Sequence, residues 1–290
     1  MCRQGKKTDQ LSIVEIIEKS ECFLKSKGVS SPKSDAEWIV SHILGKPKLE
    51  LYLSYDEKIS TFSMNRIRDF IIQRGKRRPL QHLIKTVDFC GIKLKCDERA
   101  LVPRNETEIF VELICGKFSK DFSGHIIDFG TGSGAIILSL SKYFSRADCT
   151  GIDCSQSALN LAIENRLFAQ QHRVNFFEYN WSNEIYRWGK GDLLVSNPPY
   201  LDENEWIRCE PEVKDYDPKI ALVSKNKGKA DLISIINKGK EVLKPNGMIA
   251  LEIGKNQHSL VRDAMEPSYK NISIEKDLSG VRRYVFGELT

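Results

Sequence analysis

The sequence predicts a doubly wound α/β domain preceded by a small helical one. Helix-spaced apolar residues fill positions 8–78. Beyond Asn105, short apolar runs alternate with helical patterns, and the first of those runs leads into a glycine-rich turn. The 290 residues are 41% hydrophobic and 29% charged, enough apolar material for a core and too balanced a chain for disorder. No run approaches the ~18 consecutive apolar residues of a membrane span. The first nine residues lack the apolar stretch of a secretory signal, so a cytoplasmic protein with no membrane partner is expected.

In chain order, Leu11, Val14, Ile17 and Leu24 recur at near-helical spacing. Ser31-Pro32-Lys33-Ser34-Asp35 is a helix start, and Ala36, Trp38, Ile39, Ile43 and Leu44 are expected on one face of that helix. Gly45-Lys46-Pro47 stops it. A third helix, from Thr61 to Arg74, carries Met64, Ile67, Phe70 and Ile71. Phe89, Ile92 and Leu94 lie in short stretches around Gly91 that read as a hairpin. The expected division is therefore a helical domain over 1–85, a hairpin linker over 86–104 and an α/β domain over 105–290.

Within that last part, Ile126–Phe129 is a strand and Ala135–Tyr143 a helix; Cys149–Asp153 is a strand followed by a helix over Ser157–Gln170. Val174–Tyr179 and Asp192–Ser196 are further strands. Ala230–Leu243 is a helix stopped by Lys244-Pro245-Asn246-Gly247, and Met248–Ile253 and Arg282–Phe286 are strands. In such folds ligands bind beyond the carboxyl ends of the strands, where the strand order reverses.

Charge is unevenly placed. Residues 1–100 hold 20 Lys/Arg against 13 Asp/Glu, whereas the rest hold 24 against 26. The densest basic run is Arg74-Gly75-Lys76-Arg77-Arg78, ordinarily a solvated face and otherwise a contact for an anionic partner. The eight cysteines form no Cys-x-x-Cys and no zinc-ligand spacing, so reduced thiols are expected and no metal site. His82, His125, His172 and His258 have no triad context, which excludes hydrolase chemistry of that type.

Three strand ends carry the chemistry. Gly130-Thr131-Gly132-Ser133-Gly134 joins the first strand to the first helix, where glycines let the backbone turn tightly beside a ligand. It departs from the G-x-G-x-x-G dinucleotide fingerprint and lacks the Gly-Lys-Ser/Thr of a phosphate loop. Asp153 ends the second strand, where a carboxylate can accept from two ribose hydroxyls; the alternative is that it caps the next helix. Asn197-Pro198-Pro199-Tyr200 follows a buried strand. Its prolines stiffen the loop and free its carbonyls, Asn197 supplies an acceptor, and Tyr200 a flat face. Such a box suits a planar amide or amine. Trp181, after the third strand, is a candidate to lie beside an adenine ring, whereas Trp38 and Trp206 suit packing or a partner surface.

This order of motifs resembles the class I, Rossmann-like S-adenosylmethionine-dependent methyltransferases that act on planar nitrogens. Arg78-Pro79-Leu80-Gln81-His82-Leu83, Phe89-Cys90-Gly91, Leu101–Glu108, Asp217-Pro218-Lys219-Ile220-Ala221-Leu222 and Leu251-Glu252-Ile253-Gly254 with Gln257 narrow it further. Together they are similar to the peptide chain release factor glutamine methyltransferases (the HemK/PrmC family) over nearly the whole chain. Departures are Asn105 for Pro, Lys85 for Gly, Ser224-Lys225 for a Gly pair, and Asn180-Trp181 for Asp-Trp.

The resemblance implies methyl transfer from S-adenosylmethionine to the side-chain nitrogen of the glutamine in a release factor's Gly-Gly-Gln motif. Gly130, Thr131, Gly132, Ser133, Gly134, Asp153, Trp181 and Asn197 would bind the cofactor. Asn197, Pro198, Pro199 and Tyr200 would form the catalytic box, with the Asn197 oxygen and the Pro198 carbonyl accepting the two amide hydrogens. The basic helical domain would recognise the protein substrate, and the enzyme would act as a monomer. The alternative is an adenine-N6 nucleic-acid methyltransferase, which shares the box but usually carries a target-recognition domain and flips out its base. No segment after the α/β domain is spare for that, so a nucleic-acid substrate is not expected.

Overall fold

The computed structural model describes residues 11–181 and 188–290. The chain divides into two compact units, Met1–Ile84 and Lys85–Thr290.

The first unit is helical: α1 (Ile13–Ser26), α2 (Pro32–Leu44), α3 (Lys48–Leu53), α4 (Thr61–Gly75) and α5 (Leu80–Ile84). Local chemistry sets the ends. Ser12 and Glu15 form a reciprocal capping box on α1, Pro32 opens α2, and Gly45 closes it at φ 67°. Ile13, Ile17, Ala36, Ile39, Val40 and Ile67 form the core. Trp38 does not join them: it is 41% exposed, with Lys48 Nζ 5.3 Å from its ring centroid. It sits two residues after Ala36, about 200° around the helix, whereas Ile39, Val40 and Ile43 follow at 3, 4 and 7. The basic run is not a uniform solvated face either. Arg74 is 4% exposed and its Nε lies 2.7 Å from Asp35 Oδ2, so the first charge of the run is consumed inside the unit.

The second unit opens with a hairpin, β1 (Thr86–Phe89) and β2 (Ile92–Lys95), turning on Cys90 and Gly91 at φ 46° and 71°. Phe89, Ile92 and Leu94 enter the same core as Phe110, Ile114 and Leu140. The 86–104 segment set apart above as a linker is thus packed into the α/β unit, because its alternation buries one whole face. Then follow α6 (Asn105–Lys117), β3 (His125–Phe129), α7 (Ala135–Tyr143), β4 (Asp148–Asp153), α8 (Gln156–Phe168), β5 (Val174–Glu178) and β6 (Gly191–Ser196). Short helices α9 (Glu203–Ile207), α10 (Pro211–Lys214) and α11 (Lys225–Gly228) precede α12 (Ala230–Val242), β7 (Leu243–Glu252), α13 (His258–Met265), β8 (Tyr269–Lys276) and β9 (Arg282–Leu289).

Strands β3 to β9 form one sheet in the order β5-β4-β3-β6-β7-β9-β8. The first five run parallel, and β9 is antiparallel to both neighbours. Helix α12 ends at Val242, and Leu243, expected as its last residue, instead opens β7; Lys244–Gly247 is a bulged excursion inside that strand rather than a gap before it: Gly191 pairs with Leu243 and Leu193 with Met248. Helices α6 and α13 and strand β8 were not expected. Lys85 takes φ 62° where a glycine is common, and Asn226 and Lys227 take 54° and 59° just after the Ser224-Lys225 departure. No helix among the described residues is long and apolar enough to cross a membrane.

Removing a buried ion-pair partner leaves the other charge uncompensated, at a cost of about 3–5 kcal/mol. Arg74→Ala should therefore strip roughly that much from the first unit's stability. Urea unfolding followed by circular dichroism should show its transition at lower denaturant.

Candidate active site

The strand order reverses between β4 and β6 on either side of β3, so the loops after these three parallel strands meet at the carboxyl end of the sheet. The loop after β3 is fixed from within. Gly130 N–H and Thr131 N–H both donate to the Ile152 carbonyl (2.9 and 2.8 Å), and Gly134 N–H donates to the Thr131 carbonyl (2.8 Å). Gly132 N–H donates to Asp153 Oδ2 at 2.9 Å. Gly130, Gly132 and Gly134 all have positive φ, which accounts for the glycines at these three places.

Asp153 also accepts from Ser155 N–H through Oδ1 (2.9 Å). It does not cap α8; Ser155 does, accepting from Ala158 N–H. Burial raises the Asp153 carboxyl above its ordinary range, against the pull of these backbone donors. Asp128, at the end of β3, is wholly buried and accepts from the Thr131 hydroxyl at 2.7 Å. Burial pushes it up to about 7.

Two cavities flank the loop after β6. One is lined by Leu101, Gly130, Gly132, Asp153, Trp181 and Pro199, among others, and by Asn197. The other is lined by Leu101, Arg104, Pro198, Tyr200 and Glu252, among others, and again by Asn197. Asn197 thus stands in the wall common to both. Ser133 and Gly134 belong to the same loop; Ser133 is buried and its carbonyl accepts from Asn165 Nδ2 at 3.0 Å. Trp181 is 8% exposed, lies nearly parallel to Phe129 (12° between rings) and donates from Nε1 to Asp231 Oδ1 at 3.1 Å. Asp231 in turn accepts from the Ser224 hydroxyl at 2.6 Å, so the indole is held at a set angle.

Tyr200 is fixed from behind. Gln257 Nε2 donates to the Tyr200 carbonyl (2.9 Å) and the Gly228 carbonyl (3.0 Å), while Gln257 Oε1 accepts from Gly254 N–H. A Cβ on Gly228 would lie 2.2 Å from the Tyr200 carbonyl oxygen, so only glycine fits there. Residues whose site roles sequence reasoning did not assign line the second cavity or hold those that do. Arg104 meets the buried Asp217 carboxylate at 2.6 Å, Thr107 donates to Glu252 Oε2 at 2.8 Å, and Asn197 Nδ2 donates to Thr107 Oγ1 at 3.1 Å. All of these lay within the family-like segments, but nothing in their spacing announced that they meet.

The chemistry of the first cavity selects its ligand. The paired N–H groups of the glycine loop are turned inward, so the loop is not a nest for phosphate. Asp153 makes the lining acidic, and Arg99 on the rim is held by Asp97 and Glu164 at 2.8 Å each. Such a site suits a cationic nucleoside without phosphates, as a sulfonium nucleoside is. Cys96 and Cys149 are buried thiols pushed up to about 12, and the described cysteines are free.

This sheet and strand order, with a glycine loop and an acidic strand end, define an S-adenosylmethionine-dependent methyltransferase. A solved T. thermophilus 16S rRNA N2 methyltransferase in complex with AdoMet and guanosine shares the fold at TM-score 0.50 and 13% identity, over 71% of this chain and 50% of that one. Residues 15–84 match the PrmC N-terminal domain and residues 104–208 the methyltransferase small domain. The release factor glutamine methyltransferase of Fusobacterium nucleatum is 35% identical over 95% of this chain and 78% of its own length. That of Aliivibrio fischeri is 31% identical over 96% and 98%. The chain belongs to the release factor glutamine methyltransferase family.

The raised Asp128 pKa makes a stability prediction. Unfolded, Asp128 loses its proton near its ordinary value of 3.8; folded, it keeps it up to about 7. Its contribution is therefore present at low pH and lost as pH rises through that window. Asp128→Asn has no proton to lose, so between pH 4 and 7.5 it should lose less stability than the parent by on the order of 3–4 kcal/mol. Urea unfolding at a series of pH values measures the difference.

Proposed function

We propose that this chain transfers a methyl group from S-adenosylmethionine to the side-chain amide nitrogen of the glutamine in the Gly-Gly-Gln motif of peptide chain release factors. The observation that carries this reading is the position of Asn197 between an acidic, phosphate-averse cavity and a second one lined by Pro198 and Tyr200. The names borne by the chain's relatives support the same substrate.

Bound S-adenosylmethionine supplies an electrophilic methyl on a sulfonium. Gly130, Thr131, Gly132, Ser133 and Gly134 form the cradle, Asp153 takes the ribose hydroxyls, and Trp181 flanks the adenine. Thr131, Ser133 and Gly134 shape the loop rather than line its cavity. An amide nitrogen is a weak nucleophile because its lone pair is delocalised, so catalysis rests on orientation, which supplies ~7–11 kcal/mol when geometry is well set. Asn197 Oδ1 and the Pro198 carbonyl accept the two amide hydrogens, favouring a more pyramidal nitrogen. Pro198 and Pro199 keep that loop stiff, and Tyr200 packs against the amide plane. The helical unit over 1–85, with its excess of basic residues, recognises the release factor and raises the encounter rate at low salt.

The reading is tested by incubating the protein with methyl-labelled cofactor and separate pools of release factor and DNA. Label should enter the release factor glutamine; label in DNA adenine alone would give the alternative. Asp153→Ala should weaken cofactor binding by roughly 1.5–3 kcal/mol in a calorimetric titration, since charged hydrogen bonds are lost. Asn197→Ala should cut turnover a hundredfold or more, ~2.7–4 kcal/mol, with folding nearly unchanged. Asn197→Asp keeps an acceptor and should retain more activity than Asn197→Ala. A folded, cofactor-saturated Asn197→Ala enzyme working at the parent rate would remove Asn197 from catalysis.

A further inference from the structure

We infer that Thr107 and Glu252 are positioning residues that dictate which end of the Asn197 amide faces the substrate cavity. The inference rests on the function proposed above and concerns residues that never touch the cofactor cavity. Glu252 ends β7 and is 2% exposed; Thr107 stands in the first turn of α6 and is 5% exposed. Thr107 Oγ1 lies 2.8 Å from Glu252 Oε2 and 3.1 Å from Asn197 Nδ2.

A hydroxyl has one proton to give. When Glu252 is ionised it can only accept, so Thr107 spends its proton there and must offer a lone pair to Asn197. The group that can meet a lone pair is the amide NH2. The Asn197 oxygen is thereby turned away from Thr107, leaving it to accept from a substrate amide. When Glu252 is protonated the direction reverses. The carboxylic acid donates to Thr107, whose proton then turns toward Asn197 and draws in the amide oxygen. The NH2 group then faces the cavity and opposes a substrate NH2.

The surroundings set when this reversal occurs. Arg283 and Tyr284 on β9, Glu106 and Thr107 on α6, and Asn197 and Tyr200 after β6 face Glu252 or act on its charge. Arg104 lines the same cavity. Burial pushes the Glu252 carboxyl up to about 7, with Thr107, Arg283 and Asn197 pulling it back. Only the ionised form sets the productive orientation, so turnover should fall as pH drops through that region.

The test compares Thr107→Val, Thr107→Ser and Glu252→Gln in the full chain. Thr107→Val should lower kcat about tenfold to a hundredfold with the dissociation constant for S-adenosylmethionine unchanged. Thr107→Ser, which restores the hydroxyl, should recover most of the rate. Glu252→Gln should be slow and should lose the acidic limb of the kcat–pH profile. If Thr107→Val fails to fold, Glu252→Gln and its pH profile carry the test alone. The relay is overturned by a folded Thr107→Val enzyme with the parent kcat, or by a Glu252→Gln enzyme that keeps the acidic limb. An activity-independent measurement separates this inference from the proposed function. The side-chain amide protons of Asn197, assigned by the signal lost in Asn197→Ala, should exchange slowly with deuterium in the parent and quickly in Thr107→Val. If the parent does not methylate a release factor yet shows that contrast, the function fails and the relay stands; equal exchange in both overturns the relay.

Discussion

Strand β3 has a parallel neighbour on each side, and the chain must leave it in a turn tight enough to start α7 at once. That constraint governs the site. The turn demands residues with positive φ, so the glycines come first, and their N–H groups must then find partners in very little space. Gly130 and Gly132 find them in the carbonyl of Ile152 and the carboxylate of Asp153, both on β4, and Gly134 in the Thr131 carbonyl of the loop itself. The end of one strand is thus tied to the end of the next, and a loop of small residues is rigid without any ligand. Everything else at this end of the sheet is arranged around that fixed loop.

A second feature is the number of carboxyl groups kept from water. Asp128, Asp217 and Glu252 are all buried beside the site, and burial raises each of them. Each has a specific partner: the Thr131 hydroxyl, the Arg104 guanidinium and the Thr107 hydroxyl respectively. Burying an acid is costly, and none of the three is needed to fill apolar space. They hold other groups in place: a loop, a cationic side chain and an amide. The stability given up at neutral pH is the counterpart of a site whose polar atoms have little freedom.

Most of the fold was legible because its central strands are buried on both faces and read as short, largely apolar runs between turn residues. Ile126–Phe129 and Asp192–Ser196 are of this kind. Strand β8 was not legible: it lies at the sheet edge, shifts register twice and exposes much of its length, so no clean alternation survives. Helix α6 could have been found, since Thr107, Phe110, Val111 and Ile114 repeat at helical spacing and Glu106 and Glu108 lie in its first turn. The glycine loop, Asp153 and the Asn197–Tyr200 box could be picked out because each follows a strand directly. Thr107 and Glu252 stand 145 residues apart, and no local pattern links them; only the packing of α6 against β7 does. Trp38 failed for the opposite reason, an apolar residue assigned to a face that helix geometry denies it.

Asn197 standing in the wall between two cavities has a kinetic meaning. On this reading neither reactant passes through the other's chamber. The spent donor can leave and a fresh one arrive while a peptide remains seated, and the modified peptide can depart while the nucleoside stays. Turnover is then paced by two independent exchanges on opposite sides of one side chain, with no compulsory queue.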